Sequence, residues 1–371
     1  MAFMVERVAF MVEYSENLNL IDLNDYPVSW WLKLLELAHE IKANPQDYSE
    51  ACKGKNMGTL FYEPSTRTQM SFQTAMLRLG GTIIGFDNPQ TSSVAKGENL
   101  KDTSKIVSGY SDILVMRHPI AGSVRAAALT ADCPVINAGD GGHLHPTQTL
   151  TDLLTMKEEK GTLENLTIGI CGDLKNGRTV HSLIKAMTCF KGNKFVLIST
   201  KELALPLYIK DLLSAGGFDY KEVTSLDDAM PELDVLYMTR IQRERFASEE
   251  EYQAQKGNYI LDREKMLEAK SDLIVLHPLP RVDEIAVEVD DDDRAMYFEQ
   301  AKYGMYVRMA LILTILKRDG NPAPLVYGKV HNSVKCSNAK CITNHEDYLP
   351  KYFRGSGDIL ICDYCDERTL I

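Results

Sequence analysis

Apolar runs that predict β-strands alternate with segments of helical period along most of this chain. The strand candidates in the first half are residues 58–61, 82–86, 113–116 and 135–137. Those in the second half are residues 167–171, 195–198, 235–238 and 273–276. Strands interleaved with helices are typical of βα units, which build parallel sheets. The pattern therefore predicts an α/β protein with two doubly wound parallel-sheet domains.

Polar residues with binding chemistry follow several of these strands. They are residues 65–68, Arg117 and His118, residues 140–145, Arg240 and residues 277–281. In parallel sheets, ligands bind outside the carboxyl ends of the strands. Because the polar residues lie at these carboxyl ends, the sequence predicts an enzyme.

The helical segments also indicate where the domains divide. A predicted helix at 145–157 joins the two halves, and an apolar helix at 306–316 ends in cationic residues followed by Gly320, as a helix C-terminus requires. With 371 residues the chain can hold two core domains and a small appendage. The predicted boundaries are 1–146 with the C-terminal helix 302–320, then 147–301, a linker at 321–335, and 336–371.

Composition narrows the class of protein. The chain is 44% hydrophobic and 25% charged, which is typical of globular proteins. A formal charge of −11 argues against nucleic acid as a partner, because phosphate neutralisation needs a basic face. No apolar run reaches the roughly 20 residues that span a bilayer, and Glu6, Arg7 and Glu13 interrupt any signal-peptide pattern. We therefore expect a cytoplasmic protein without a membrane partner.

The segment Glu63-Pro64-Ser65-Thr66-Arg67-Thr68 lies where a predicted strand turns into a predicted helix. Free N–H groups of a helix N-terminus, small hydroxyls and a forked guanidinium together suit a phosphate group. The same residues also fit an ordinary helix N-cap with a solvated arginine. The segment alone leaves both interpretations open.

Other polar segments carry weaker signals. Residues 92–98 form a loop with Lys96 among small residues, and by itself this loop fits a mobile surface segment. His143 and His145 lie beside a Gly-rich turn and a helix start, which favours a site. Two prolines at 278 and 280 predict a stiff loop that presents backbone carbonyls. The acidic run 290–293 is interpreted as a solvated loop and not as a metal site.

Four of the eight cysteines form a metal-binding pattern near the end of the chain. The spacing is Cys336-x4-Cys341 followed by Cys362-x2-Cys365, which predicts a closed, tetrahedral, structural Zn²⁺ site. His345 is a spare candidate ligand. Because this short segment has few large apolar residues, we expect the metal to supply its folding energy. A zinc hydrolase is disfavoured, since four thiolates leave no open position for water.

Taken together, the motifs resemble a known family. Ser-Thr-Arg-Thr at 65–68, Arg-His-Pro at 117–119, His-Pro-Thr-Gln at 145–148 and His-Pro-Leu-Pro-Arg-Val-Asp-Glu at 277–284 are similar to the signature set of the aspartate/ornithine carbamoyltransferases. The resemblance covers residues 15–320. Residues 237–242 and 277–281 resemble the aspartate branch, because ornithine enzymes carry His-Cys-Leu-Pro at the latter segment.

The resemblance implies transfer of the carbamoyl group of carbamoyl phosphate to the amine of L-aspartate, early in pyrimidine biosynthesis. Ser65, Thr66, Arg67 and Thr68 would hold the phosphate, with Arg117 adding charge. His145, Thr68 and Arg117 would be catalytic, donating to the carbamoyl oxygen where charge develops. Gln148 would accept from the carbamoyl amide. No covalent intermediate and no organic cofactor are implied.

The acceptor side of the site is implied in the same way. Arg178 and Arg240 would clamp the two carboxylates of aspartate, a task that suits the arginine fork. Gln242 would support Arg240, and the carbonyls of Leu279 and Pro280 would contact substrate.

The resemblance also implies an assembly. In the family, the Ser-rich loop enters the active site of a neighbouring subunit, so that Lys96 and either Ser92 or Ser93 would complete a shared site. The expected assembly is a homotrimer or a multiple of trimers.

The cysteine-rich segment resembles the zinc domain of the regulatory chain of this enzyme class. The chain is thus predicted to fuse a catalytic chain and a regulatory zinc module, a small zinc-bound β domain that would brace contacts between catalytic chains. Only residues 321–335 lie between the two parts, and a nucleotide-binding domain needs about a hundred residues. Nucleotide control of the two-chain kind is therefore not expected.

Two alternatives remain at this point. A carbamoyltransferase for another amine, such as ornithine, is disfavoured by Arg240 and Pro278. The second alternative is a non-catalytic scaffold subunit with a zinc interaction module. Substituted catalytic residues would favour it, but the sequence retains every catalytic residue that the family implies.

Overall fold

A computed structural model describes residues 18–241, 248–255, 259–317 and 327–371. The chain forms two compact units. The first unit contains the residues up to Pro146 and those from Arg308 onward, and the second unit contains Thr147–Val307. The boundary falls inside two long helices, α5 (Pro146–Lys160) and α10 (Tyr297–Leu316).

The first unit is built on a four-stranded parallel sheet with the order β2-β1-β3-β4. Its strands are β1 (Asn56–Phe61), β2 (Thr82–Phe86), β3 (Ile113–His118) and β4 (Val135–Asp140). Its helices are α1 (Val28–Ala43), α2 (Thr66–Arg78), α3 (Leu100–Ser108) and α4 (Ser123–Ala128). The three strands β1, β3 and β4 are almost wholly buried, which explains their continuous apolar sequence. The edge strand β2 is mostly exposed.

The second unit holds a five-stranded parallel sheet with the order β7-β6-β5-β8-β9. Its strands are β5 (Thr167–Cys171), β6 (Lys194–Ile198), β7 (Tyr220–Val223), β8 (Val235–Met238) and β9 (Ile274–Leu276). Its further helices are α6 (Arg178–Met187), α7 (Leu207–Ala215), α8 (Glu249–Gln255) and α9 (Arg263–Glu268). The strand order reverses between β5 and β8, as it does between β1 and β3 of the first unit. Ligands bind at such switch points.

A small antiparallel sheet near the end of the chain belongs to the first unit. Its strands are β10 (Lys329–Val330), β11 (Tyr352–Ser356), β12 (Ile359–Cys362) and β13 (Arg368–Leu370). We call residues 327–371 the cysteine module. The segment expected as a linker, 321–335, therefore contributes β10, and its residues 321–326 lie outside the described ones.

Helix α10 is apolar around most of its circumference, and its second half is buried in the first unit. One arginine in it is buried: the Arg308 guanidinium donates to Ser71 Oγ at 3.1 Å and lies 5.1 Å from the Phe72 ring centroid. Across the described ranges, the structure has no helix that combines the length and the apolar sequence needed to cross a lipid bilayer. The predicted helix end at 318–320 lies outside the described residues.

The predicted fold class is confirmed, with two parallel-sheet α/β units and a small β module. One detail is corrected. The acidic run 290–293 is not simply a solvated loop, because its first residue binds other side chains. Asp290 accepts hydrogen bonds from Arg281 and the Tyr297 hydroxyl, and Asp292 accepts from Arg294 Nη2 at 2.7 Å. Paired charges therefore fold part of this acidic run onto the rest of the second unit.

Candidate active site

The turn from β1 into α2 forms the first part of the candidate site. Ser65 is the N-cap residue of α2, and its side chain makes no capping hydrogen bond within the described residues. Thr66, Arg67 and Thr68 form the first turn, with Thr68 buried. The helix end therefore offers backbone N–H groups and hydroxyls to an anion.

Two guanidinium groups give this turn a surplus of positive charge. Arg117 is the penultimate residue of β3 and pairs with Phe61 of β1, so that it lies on the strand next to the turn. Its Nη2 atom is 2.8 Å from Glu63 Oε2, and its Nη1 donates to Ala138 O at 3.3 Å. Its Nε is buried without a hydrogen-bond partner in the described chain.

The charges of the two cations act on each other. Burial lowers the pKa of Arg67, and the charge of Arg117 lowers that pKa further. Burial also lowers the pKa of Arg117, although Glu63 opposes this effect. These two neighbouring cations, the half-buried Arg117 and the more exposed Arg67, have Glu63 as their carboxylate partner, so the site favours a further anion.

His145 lies directly before α5 and is buried. The preceding turn is held by Asp140, whose Oδ1 accepts from Leu144 N at 3.1 Å, while Asp140 N donates to Leu144 O at 3.2 Å. Asn137 Nδ2 also donates to Asp140 Oδ1, at 3.3 Å. The imidazole of His145 is thus carried by a turn with a fixed backbone, at the carboxyl end of β4.

The loop with Lys96 forms two short 3₁₀ turns, Pro89–Thr91 and Ser93–Lys96. The Ser92 hydroxyl donates to Pro89 O at 2.8 Å and accepts from Val94 N at 3.3 Å. Ser93 and Lys96 are exposed. Ser92 therefore stabilises the loop, and Lys96 lies on its exposed side.

In the second unit, Arg178 and Arg240 follow adjacent strands. Arg178 is the first residue of α6, after the loop that leaves β5, and Arg240 follows β8. Thr239 N donates to Cys171 O at 2.8 Å, which joins the ends of the two strands. Gly172 has φ 115°, and a Cβ there would lie 2.4 Å from Thr239 O, so only glycine permits this close approach. Both arginines are half-buried.

Gln148 lies one turn into α5, and its Nε2 donates to Asp152 Oδ1 at 2.8 Å. Asp152 is fully buried and also accepts from Tyr237 Oη at 3.1 Å and Gln300 Nε2 at 2.6 Å. With its NH₂ group bound to Asp152, Gln148 keeps its carbonyl oxygen as an acceptor.

Leu279 and Pro280 lie in the loop after β9, and their peptide bond is cis. The loop is folded by Glu284, which bonds His277 Nε2 at 2.7 Å and accepts from Val282 N at 3.0 Å. Burial alone would raise the pKa of Glu284, but the hydrogen bond from His277 holds it below the usual value. Gln242, the remaining predicted residue, lies outside the described residues.

The four predicted metal ligands come together in the cysteine module. All four side chains are buried and their Sγ atoms lie within 4.8 Å of one another; the residues are Cys336, Cys341, Cys362 and Cys365. A tetrahedral ion with Zn–S bonds of about 2.3 Å requires Sγ atoms about 3.8 Å apart. Two of the Sγ–Sγ distances are 3.5 Å and 3.7 Å, so the cluster fits such an ion.

Sequence reasoning gave no role to Glu63 and Asp152, which orient predicted site residues. Asp152 had a signal, since it lies four positions after Gln148 on one helix face. Glu63 was visible in the motif, but its partner Arg117 lies on another strand, and the sequence does not pair them. His143, which was grouped with His145, turns toward the cysteine module, with its Nε2 3.0 Å from Asp366 Oδ2.

Comparison with known proteins agrees with this geometry. Residues 18–158 match the carbamoyl-P binding domain of aspartate/ornithine carbamoyltransferases, and residues 164–315 match their Asp/Orn binding domain. Residues 328–370 match the metal binding domain of the aspartate carbamoyltransferase regulatory chain. The matches define a two-domain carbamoyltransferase with an added metal-binding domain.

Individual relatives are consistent with the domain matches. The aspartate carbamoyltransferase catalytic subunit of Clostridium perfringens is 58% identical over 302 residues, covering 81% of this chain and 98% of that protein. That of Clostridium novyi is 57% identical over 298 residues, covering 80% of this chain and 97% of that protein. The chain belongs to the aspartate/ornithine carbamoyltransferase family.

Solved structures show the same fold. The catalytic subunit of M. jannaschii aspartate transcarbamoylase matches with a TM-score of 0.77 at 45% identity, covering 81% of this chain and 99% of that one. The Trypanosoma cruzi aspartate transcarbamoylase in complex with carbamoyl phosphate and aspartate matches with a TM-score of 0.75 at 37% identity, covering 81% and 96%.

Proposed function

We propose that this chain is an aspartate carbamoyltransferase, which transfers the carbamoyl group of carbamoyl phosphate to the amine of L-aspartate. The products are N-carbamoyl-L-aspartate and phosphate, and the reaction is an early step of pyrimidine biosynthesis. The observation that carries the proposal is the pair of neighbouring guanidiniums, the half-buried Arg117 and the more exposed Arg67, at the N-terminus of α2. A phosphate compensates that surplus charge better than a neutral ligand does.

On the phosphate side, the backbone N–H groups and hydroxyls of 65–68 bind the phosphate oxygens together with Arg67. His145, Thr68 and Arg117 donate to the carbamoyl oxygen, which gains negative charge as the amine attacks the carbon. The C–N bond forms as the bond to phosphate breaks, and the leaving phosphate takes the amine proton. Gln148 accepts a hydrogen bond from the carbamoyl NH₂ group with its side-chain oxygen, because its Nε2 is already bound to Asp152. Positioning and electrostatics supply most of the rate.

On the acceptor side, Arg178 and Arg240 bind the two carboxylates of aspartate. They follow the two strands at the switch point of the second sheet, where a small ligand is expected. Two arginine forks suit a dicarboxylate, whereas the cationic side chain of ornithine would be repelled. The carbonyls of Leu279 and Pro280 contact the bound substrate, and Gln242 supports Arg240.

The assembly proposed here is a homotrimer, or a multiple of trimers, with shared active sites. The exposed Lys96, together with Ser92 or Ser93, reaches the site of a neighbouring chain. The location proposed for the chain is the cytoplasm.

The metal proposed for the cysteine module is Zn²⁺, held by Cys336, Cys341, Cys362 and Cys365. All four ligands are sulfur atoms, so the ion has a structural role and leaves no position for substrate. Bound Zn²⁺ contributes free energy of folding to the module. The transfer reaction itself needs no organic cofactor.

The test is carbamoyl transfer with L-aspartate and with L-ornithine, for the wild type, Arg240→Ala and the control Arg263→Ala. Arg263 is an exposed arginine at the start of α9. We expect turnover with aspartate only, a loss of at least a hundredfold in kcat/KM for Arg240→Ala, since a charged hydrogen-bond pair supplies about 3 kcal/mol, and an unchanged control. Turnover with ornithine would overturn the acceptor assignment. Inactivity with both acceptors in a folded, zinc-loaded protein would favour the scaffold interpretation.

A further inference from the structure

The cysteine module makes one direct side-chain contact with the turn that carries His145. His143, two positions before His145, has Nδ1 3.2 Å from Asp140 Oδ2 and Nε2 3.0 Å from Asp366 Oδ2. Burial would lower the pKa of His143, but the two carboxylates raise it to about 10. Both ring nitrogens therefore carry protons at neutral pH and donate to a carboxylate on either side.

Asp140, which contacts His143, also accepts hydrogen bonds from two backbone segments of the site. Its Oδ2 accepts from Gly122 N at 2.8 Å, in the loop after β3. Its Oδ1 accepts from Leu144 N at 3.1 Å, next to His145. The loop that follows Arg117 and the turn before His145 thus share one buried carboxylate, which is only 1% exposed.

The module also contacts the loop after β3 through its backbone. Ala121 N donates to Lys340 O at 3.0 Å, and Ile342 N donates to Ala121 O at 2.9 Å. Gly122 has φ 84°, and a Cβ there would lie 2.6 Å from Tyr364 Cβ. The module thus packs closely against this loop.

Asp366 is itself oriented from within the module. Arg354 bonds both Asp366 and Asp363, the latter with Nη1 at 2.9 Å. Asp366 remains 40% exposed, and its φ of 59° lies in the left-handed region that Asp and Asn tolerate better than Ala does, so Asp366→Asn removes the charge without straining the backbone. Its neighbour Glu367 is also exposed and carries the same charge, which makes it a matched control.

We propose that Asp366 is a positioning residue for the carbamoyl transfer, acting through His143 and Asp140 to fix the turn that holds His145. The cysteine module then contributes to the reaction in addition to stabilising the chain. This inference rests on the proposed function. It predicts that a residue of the metal-binding module affects turnover without contacting either substrate.

The test is a double-mutant cycle on the zinc-loaded protein, with Asp366→Asn, His143→Ala and the double variant, beside the control Glu367→Gln, which makes the same carboxylate-to-amide change. We expect each single variant to lower kcat about tenfold, with KM for both substrates nearly unchanged, because His145 acts mainly in the transition state. The double variant should lose no more than the larger single loss, since both residues belong to one chain of contacts. Zinc content, measured in every variant, should remain one ion per chain.

The outcomes distinguish a failure of the proposed function from a failure of the positioning role. A wild type that transfers no carbamoyl group would refute the proposed function itself. An active wild type whose Asp366→Asn variant matches the control would overturn the positioning role alone, as would losses that multiply in the double variant. If Asp366→Asn loses zinc, His143→Ala decides, because His143 lies outside the module: normal kcat in that variant also overturns the proposal.

Discussion

At the scale of single residues, the candidate site is defined by charges that lack enough partners. Arg67 and Arg117 lie close together at the turn from β1 into α2, and among the described residues the only ion pair there joins Arg117 to Glu63. The turn therefore holds more cations than anions. An excess of cations at a helix N-terminus is the arrangement expected before an anionic substrate binds.

His118, next to Arg117, gives a prediction about pH. Its Nδ1 accepts from Ile120 N at 3.1 Å and lies 2.9 Å from Ser123 Oγ, and burial lowers its pKa to about 4. Below pH 6.5 the unfolded chain binds a proton that the folded His118 does not bind. The free energy of unfolding should therefore fall as the pH decreases from about 6.5 to 4, by about 3 kcal/mol in total.

The matched variant is His118→Asn, whose side-chain oxygen keeps an acceptor near the Nδ1 position but does not titrate. We expect a shallower decrease in the free energy of unfolding, measured by urea denaturation at several pH values between 6.5 and 4. Parallel pH profiles for the wild type and the variant would contradict the assignment.

Residue roles were predictable from the sequence only where a local motif carried them. Ser65 to Thr68 lie in one turn, so their common chemistry is visible in four consecutive letters. The pairing of His143 with Asp366 joins positions 223 residues apart, and no periodicity or spacing indicates it. Contacts of this kind depend on how the chain folds back, which a single sequence does not show.

At the scale of elements, the strands with two buried faces were predicted well. The bounds of β5 and β8 agree with the predicted apolar runs, because strands covered on both sides must be apolar throughout. Strand β7, Tyr220–Val223, was missed because it is a half-exposed edge strand containing Lys221 and Glu222. The four strands of the cysteine module were also not predicted individually, since the metal pattern defines that segment better than hydrophobic periodicity does.

The cysteine module gives a prediction about metal removal. Cys362→Ser removes one of four buried ligands, and structural zinc contributes roughly 10 kcal/mol or more to the folding of small zinc domains. We expect this variant to lose its zinc and residues 327–371 to become sensitive to limited proteolysis. Cys189→Ser, at an exposed cysteine of the second unit, is the control and should keep both the metal and the protease resistance. Zinc retention by Cys362→Ser would refute the ligand assignment.

The loop with Lys96 gives a prediction about shared sites. Lys96→Ala and His145→Ala should each be nearly inactive, yet chains mixed under dissociating conditions and reassembled should recover activity. Random assembly gives an intact pair of neighbours at about one site in four. His145→Ala mixed with Arg67→Ala is the control, because both residues belong to the same chain's part of the site. Recovery in the control, or none in the first mixture, would contradict a shared site.

At the scale of the whole molecule, the order of the domains has a consequence for regulation. The match to the Asp/Orn binding domain ends at residue 315, and the match to the regulatory-chain metal-binding domain begins at residue 328. A nucleotide-binding domain needs about a hundred residues, so none fits between these two parts. The chain thus combines the two carbamoyltransferase domains with a domain that matches the metal-binding domain of a regulatory chain.

We therefore predict that ATP and CTP leave the aspartate saturation curve unchanged when carbamoyl phosphate is saturating. Saturation matters because a nucleotide phosphate group can compete at the turn of Ser65 to Thr68, which would imitate inhibition without any second site. The measurement is initial rate against aspartate concentration, with each nucleotide and with inorganic phosphate as the control for competition. A nucleotide-dependent shift that persists at saturating carbamoyl phosphate requires a second site that binds with different affinity in two states. Such a shift would show that effector binding does not depend on the domain missing between the catalytic part and the cysteine module.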